Sequence, residues 1–191
     1  TGTDEHHPFV NNDAYTNYIV RFVLKKTIGY LQKFDSKGKA WNLTSAEKAK
    51  VSDVIEKLYI PKCESGLVPQ FDGYFDLSRE LSVTNGSVAT SFQMKRSGLY
   101  HLSQVIKQPD VMLLFTYIDD ESDDFTAEEY EVNWDYYEKM CETASSLTFP
   151  VHAIASADNG RMLSFLDYLK DSAKIDIADL HKCAWQGVHS G

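Results

Sequence analysis

Cysteine is scarce in this chain: Cys63, Cys141 and Cys183 are the only three in 191 residues. An odd, widely spaced set makes no disulfide framework and fits reduced, buried thiols in the cytoplasm. Long apolar runs are missing too. None approaches the roughly 20 residues that span a bilayer, which excludes a membrane helix. Positive charge is in deficit, with 19 Lys and Arg against 28 Asp and Glu and a net charge of −9. No basic patch offsets that balance, so a nucleic-acid partner is excluded. The densest acidic run, Asp119-Asp120-Glu121-Ser122-Asp123-Asp124, lacks the glycine placement and ligand spacing of a calcium loop. It reads as a solvated loop, and no metal site is expected.

What is present is helical periodicity in a chain long enough for one domain with a sizeable core. Residues 13–33 carry Ala14, Tyr18 and Phe22, with Ile19 and Val23, at i, i+4 spacing behind an Asn12 or Asp13 cap. The capping box Thr44-x-x-Glu47 opens a second helix expected to bury Val51, Val54, Ile55 and Leu58 and to stop before Pro61. Residues 62–82, broken by Gly66, Pro69 and Gly73, predict a long ordered loop or a short strand pair. Pro109 begins a nearly all-apolar helix running to Tyr117. Thr126-x-x-Glu129 opens another, with Tyr130, Trp134, Tyr137 and Cys141 on one face. A helix over 148–157 stops at Asn159-Gly160, and the last one presents Met162, Phe165, Leu166 and Leu169. An all-apolar helix must be covered on every side, so an inner helical layer wrapped by an outer one is expected.

The chemistry concentrates in Gly2-Thr3-Asp4-Glu5-His6-His7-Pro8 and, just beyond, Asn11-Asn12-Asp13-Ala14-Tyr15-Thr16-Asn17. This puts a carboxyl group in a loop that opens a helix, beside a second acid and two imidazoles. An acid that donates a proton near neutral pH needs its pKa raised, and a nearby carboxylate in a partly dry pocket does that. Glycoside chemistry uses such an acid on the leaving oxygen. The plain alternative is a solvated acidic loop before a capped helix. Ser145 and Ser146 precede a helix and offer hydroxyls and terminal N–H groups to an anion, or simply cap that helix. His152, among Val151, Ala153 and Ile154, reads as a satisfied core histidine. Tyr74, Trp134 and Tyr137 read as sugar-stacking rings or, for the last two, as core.

Gly-Thr-Asp-Glu-His-His with Asn-Asp-Ala-Tyr-Thr-Asn resembles the signature around the general acid of glycoside hydrolase family 65. Ile106-Lys107-Gln108-Pro109-Asp110-Val111, Tyr136-Tyr137-Glu138, Ser145-Ser146-Leu147-Thr148 with His152, and Gly187-Val188-His189 resemble further blocks of that family, in its order. The resemblance implies the second half of an (α/α)6 catalytic barrel, a single partial domain over 1–191. It also implies an excised or cleaved piece of a larger enzyme, lacking the N-terminal β-sandwich and first barrel helices. The loop at 62–82 would lie near the barrel mouth.

The activity implied is inverting phosphorolysis of an α-glucosidic disaccharide to β-glucose 1-phosphate and a free acceptor. Inorganic phosphate is then the co-substrate and no cofactor is expected; the parent would be a homodimer. Glu5 would be the general acid, and Asp4, His6, Lys107 and Gln108 would contact substrate, Lys107 and Gln108 through hydroxyls of the glucosyl unit. His7 would line the acceptor side or cap the loop. Ser145, Ser146 and His189 would hold phosphate, unless His189 is an exposed tail residue.

One departure stands out. Where phosphorylases of the family usually read Thr-x-His-Asp/Glu-Ser-Ser, this chain reads Cys141-Glu142-Thr143-Ala144-Ser145-Ser146. A Glu142 turned toward the nucleophile would act as a base on water and make the enzyme an inverting hydrolase. A helical module that binds sugar without turnover is the third reading, and the retained acid and serine pair speak against it.

Overall fold

The computed structural model describes residues 2, 4–34, 43–79, 83–84, 87–88, 100–117, 125–143, 145–182 and 184–187. Among these are six α-helices: α1 Ala14–Phe34, α2 Ser45–Lys57, α3 Asp110–Tyr117, α4 Ala127–Tyr137, α5 Thr148–Asp158 and α6 Met162–Lys174. An antiparallel pair of two-residue strands, β1 Val83–Thr84 and β2 Ser87–Val88, pairs Val83 with Val88 and Thr84 with Ser87. The fold is mainly α, as the periodicity predicts. The strand pair falls just past the expected loop, and residues 58–79 run irregularly with a single 3₁₀ turn at Tyr74–Asp76. None of the described helices is long and apolar enough to cross a membrane.

Three helix starts have a local cause in their own side chains. Asp13 Oδ1 accepts from Thr16 N–H at 2.7 Å, closing the first turn of α1. Thr44 with Glu47 and Thr126 with Glu129 both form reciprocal capping boxes. At the other end of α5, Gly160 takes φ 66°, the left-handed conformation that ends a helix without steric cost.

Helix α3 is the centre. Val111, Met112, Leu113, Leu114 and Phe115 are all buried, and α1, α4 and α5 pack around them. The apolar run could not be amphipathic, and it is covered on all sides as that composition demands. Tyr18 of α1, Phe115 and Tyr130 of α4 meet Phe125 or one another in ring contacts of 4.5–5.0 Å. Tyr74, Trp134 and Tyr137 are also buried, so none is a sugar platform. Tyr74 lies flat against Tyr137 at 5.7 Å and donates its hydroxyl to Gln104 O.

The outer helices differ from expectation. Helix α2 buries no residue, and Val54 is exposed. Val51, Ile55 and Leu58 are only partly covered, and among the described helices α2 packs chiefly on α1. Val23 in α1 is likewise exposed. Helix α6 pairs extensively with α5, yet Met162, Leu163, Leu166 and Leu169 stay exposed on it. Cys141 is a buried thiol as expected, whereas Cys63 is exposed in the 58–79 loop. Cys183 and the acidic run 119–124 lie outside the described residues.

The irregular loop is held from below by α4. Asn133 accepts from Val68 N–H at 2.9 Å and donates to Gly66 O at 2.9 Å, and Tyr137 Oη donates to Val68 O. Ala14 N–H to Gln70 O and Asp72 N–H to Asn11 O then tie the loop to the start of α1. These ties bring Gln70 beneath the Asp4–His7 turn.

Candidate active site

Asp4 is the hub of the site. Only 5% exposed, it uses both carboxylate oxygens on this chain's own donors. Oδ1 accepts from His6 N–H at 3.2 Å and Lys107 N–H at 2.9 Å. Oδ2 accepts from His7 Nδ1 at 2.6 Å and Gln70 Nε2 at 3.1 Å. Its own N–H donates to Asp110 Oδ2 at 3.0 Å, at the start of α3. Burial pushes the Asp4 carboxyl up, but hydrogen bonding and attraction from His7, with the Lys107 N–H and His6, outweigh it and hold the pKa below the ordinary value. A buried carboxylate with four donors from this chain organises the loop.

His7 reinforces that task. Its Nε2 lies 2.8 Å from Ser103 O while Nδ1 faces Asp4. The ring thereby ties the Asp4 carboxylate to the backbone at Ser103. His6 is buried as well, with Nδ1 3.4 Å from Val105 O, Nε2 3.5 Å from Glu142 Oε1, and its ring on Tyr100 at 5.5 Å. Gly2 is the residue this packing allows: a Cβ there would lie 2.4 Å from both Asp110 Oδ2 and Asp13 Oδ2.

Glu5 is the opposite of Asp4, with its side chain 65% exposed. Its Oε2 meets Lys107 Nζ, its Oε1 accepts from Gln108 Nε2 at 3.4 Å, and its N–H reaches Gln108 Oε1 at 3.4 Å. Glu5 thus meets the Lys107-Gln108 pair from a distant block, with Glu5 and Lys107 reaching solvent and Gln108 buried. The carboxyl does not have the raised pKa that a waiting acid calls for. The Lys107 ammonium holds it below the ordinary carboxylate value, outweighing its slight burial, with Gln108 and His6 acting in the same direction.

The serine pair is joined to this group through Lys107. Lys107 O accepts from Thr148 Oγ1 at 3.5 Å, and Thr148 N–H donates to Ser145 O at 3.2 Å. Ser145 is buried and its Oγ accepts from Leu147 N–H at 3.3 Å, so it does close the turn before α5. Ser146 is partly exposed on the same turn. His189 lies outside the described residues. Glu142 is 1% exposed, its carboxylate against the His6 imidazole. Its backbone N–H donates to Ile106 O, joining the segments that carry Lys107 and Ser145. His152 is only half satisfied: Nδ1 binds Thr148 O at 2.8 Å, while buried Nε2 has no hydrogen-bond partner among the described residues. Burial lowers its pKa, so the ring is neutral between Trp134 and Tyr168.

No group of three or more His, Cys, Asp and Glu side chains placed to hold a metal occurs among the described residues. Sequence reading missed Gln70 and Ser103, which support Asp4 and His7. Nothing in their local sequence marks them, since their part depends on where two loops are carried.

The chain is 58% identical over 194 residues to the 3-O-alpha-D-glucosyl-L-rhamnose phosphorylase of Lachnoclostridium phytofermentans, covering 100% of this chain and 25% of that protein. It is 32% identical over 199 residues to the kojibiose phosphorylase of Halothermothrix orenii, covering 99% and 25%. A solved structure from human microbiome, provisionally named a kojibiose phosphorylase, superposes with a TM-score of 0.75 at 24% identity, over 100% of this chain and 27% of that one, a likeness of fold. The chain spans about a quarter of the length of the curated relatives it matches. Residues 1–191 match the glycosyl hydrolase family 65 central catalytic domain, an (α/α)6 barrel, and the chain belongs to that family.

Proposed function

We propose that this chain is the acid-bearing part of the catalytic barrel of a larger inverting glycoside phosphorylase. The observation that carries the reading is the convergence of exposed Glu5 with Lys107 and buried Gln108, beside an Asp4 hub that faces inward. Glu5 protonates the glycosidic oxygen while phosphate attacks the anomeric carbon from the opposite side. Lys107 and Gln108 grip hydroxyls of the glucosyl unit. Ser145 and Ser146, with His189, receive the phosphate, a nucleophile that needs donors and no carboxylate base. Asp4 positions, and His6 lines the inner wall of the site.

The relative at 58% identity names an α-glucoside of rhamnose, so 3-O-α-glucosyl-rhamnose is the first substrate to test. The remaining chain supplies the first barrel helices and the cover for α6, and the parent is a homodimer. The exposed thiol of Cys63 and the odd cysteine count support a cytoplasmic setting.

The hydrolase reading needs Glu142 to activate water. Glu142 is buried with one carboxylate oxygen set against His6 rather than presented beside exposed Glu5, which favours phosphorolysis. Incubating the intact parent with the disaccharide, with and without inorganic phosphate, decides between them. Glucose 1-phosphate formed only with phosphate supports the proposal; free glucose formed equally without it overturns it.

A further inference from the structure

Glu5 is held by the same two side chains that the proposed function assigns to the sugar. Lys107 Nζ pairs with its Oε2 and Gln108 Nε2 with its Oε1. In this state the carboxyl cannot serve as an acid, because the ammonium keeps it ionised. Nor can Lys107 and Gln108 offer these donors to a ligand while they hold the carboxylate. The backbone of Lys107 is fixed by Asp4 Oδ1 at 2.9 Å, but its side chain is 28% exposed and reaches Glu5 from the open side. The head group can therefore swing without disturbing the hub.

We propose that Lys107 and Gln108 exchange partners when the glucosyl unit binds, leaving Glu5 to take up the proton it later donates. This rests on the function proposed above only in so far as Glu5 is the acid and the glucosyl unit binds at Lys107 and Gln108. It holds equally for hydrolysis. The charged and titratable groups facing Glu5 are Lys107 and, more weakly, His6 from its own loop. With Lys107 turned to sugar hydroxyls and a sugar ring covering the carboxyl, burial favours the neutral form against the weaker pull of His6. The proton enters from solvent onto Glu5. During reaction the C1–O bond to the acceptor breaks, a C1–O bond to phosphate forms, and that proton passes to the acceptor oxygen. Glu5 is again a carboxylate and recaptures Lys107 as the product leaves. Free enzyme thus rests with its acid discharged, and substrate charges it.

The test uses the intact parent enzyme and 1,5-anhydroglucitol, which carries glucosyl hydroxyls and no glycosidic bond. Calorimetric titration near pH 7 in buffers of different ionisation enthalpy should show uptake approaching one proton per site. In the pH profiles, the alkaline limb of kcat/KM reports the free enzyme and that of kcat reports the complex. The kcat/KM limb should lie at least one pH unit lower. Lys107→Met should raise KM for the disaccharide and bring the two limbs together. Binding without proton uptake, coincident limbs in the wild type, or a gap unchanged in Lys107→Met would each overturn the exchange. Product analysis tests the reaction class separately, so a hydrolase that shows proton uptake leaves this inference standing.

Discussion

Lys107 donates its backbone N–H to Asp4 Oδ1 at 2.9 Å while its side chain holds the neighbouring Glu5. A single buried carboxylate thereby fixes the relation between an acid and its cationic partner from segments 102 residues apart. Main chain below and side chain above make Lys107 both part of the scaffold and part of the open face. The same carboxylate binds His7 of its own loop and Gln70, so three segments meet at one residue.

Asp4→Asn should destabilise the intact protein and lower turnover without abolishing sugar binding. An amide places N–H groups against donors, and breaking a buried charged network costs about 3–5 kcal/mol. The Asp4 carboxyl lies below its ordinary value of 3.8 when folded. Its stabilisation is therefore fully present above that pH and lost as pH falls through the folded value. Chemical denaturation at pH 7 and at pH 3 should show the difference between variant and wild type shrinking in acid. An equal difference at both would contradict the charged role.

Glu5→Gln should reduce kcat by about 10²–10⁴-fold with little change in affinity for the disaccharide, since the amide keeps shape but supplies no acidic proton. Steady-state kinetics on the parent enzyme measure this. Turnover like that of the wild type would remove Glu5 from the mechanism.

Replacing Ser145 and Ser146 by Ala should raise the apparent KM for phosphate at least tenfold and leave that for the disaccharide within about twofold, because the proposed role gives these hydroxyls to the anion and not to the sugar. Ser145 also closes the turn before α5, so thermal melting of the double variant accompanies the kinetics. A matched rise in both KM values would reduce the pair to a helix cap.

Residues 1–191 expressed alone should associate. The exposed apolar residues of α6 continue into Ile177, 91% exposed, and Trp185, 81% exposed, a surface that a stable monomer does not normally present. Sedimentation velocity should show oligomers, reversed by co-expression with the remaining chain. A monomer that melts cooperatively would contradict the half-barrel arrangement.

The helices were legible in the sequence because their causes are local. The capping boxes Thr44–Glu47 and Thr126–Glu129, the Asp13 cap and the Gly160 stop act within four residues, and each is realised where the pattern puts it. The apolar run of α3 likewise demanded a central position, since no face of it tolerates water. Catalytic blocks could be matched to a family one by one, but their tasks could not be divided from composition. Asp4 and Glu5 are adjacent acids; one is buried under four donors and the other stands on the open face. Which carboxylate turns inward depends on Gln70, Ser103 and Lys107, carried in by loops with no local marker of that meeting. The direction of the Glu5 pKa depended on an ammonium 102 residues away in the chain, and charge interactions act through space. Residue types fixed the helices and the inventory of chemistry; only the folded packing decided which groups are buried, which are paired and which face a substrate.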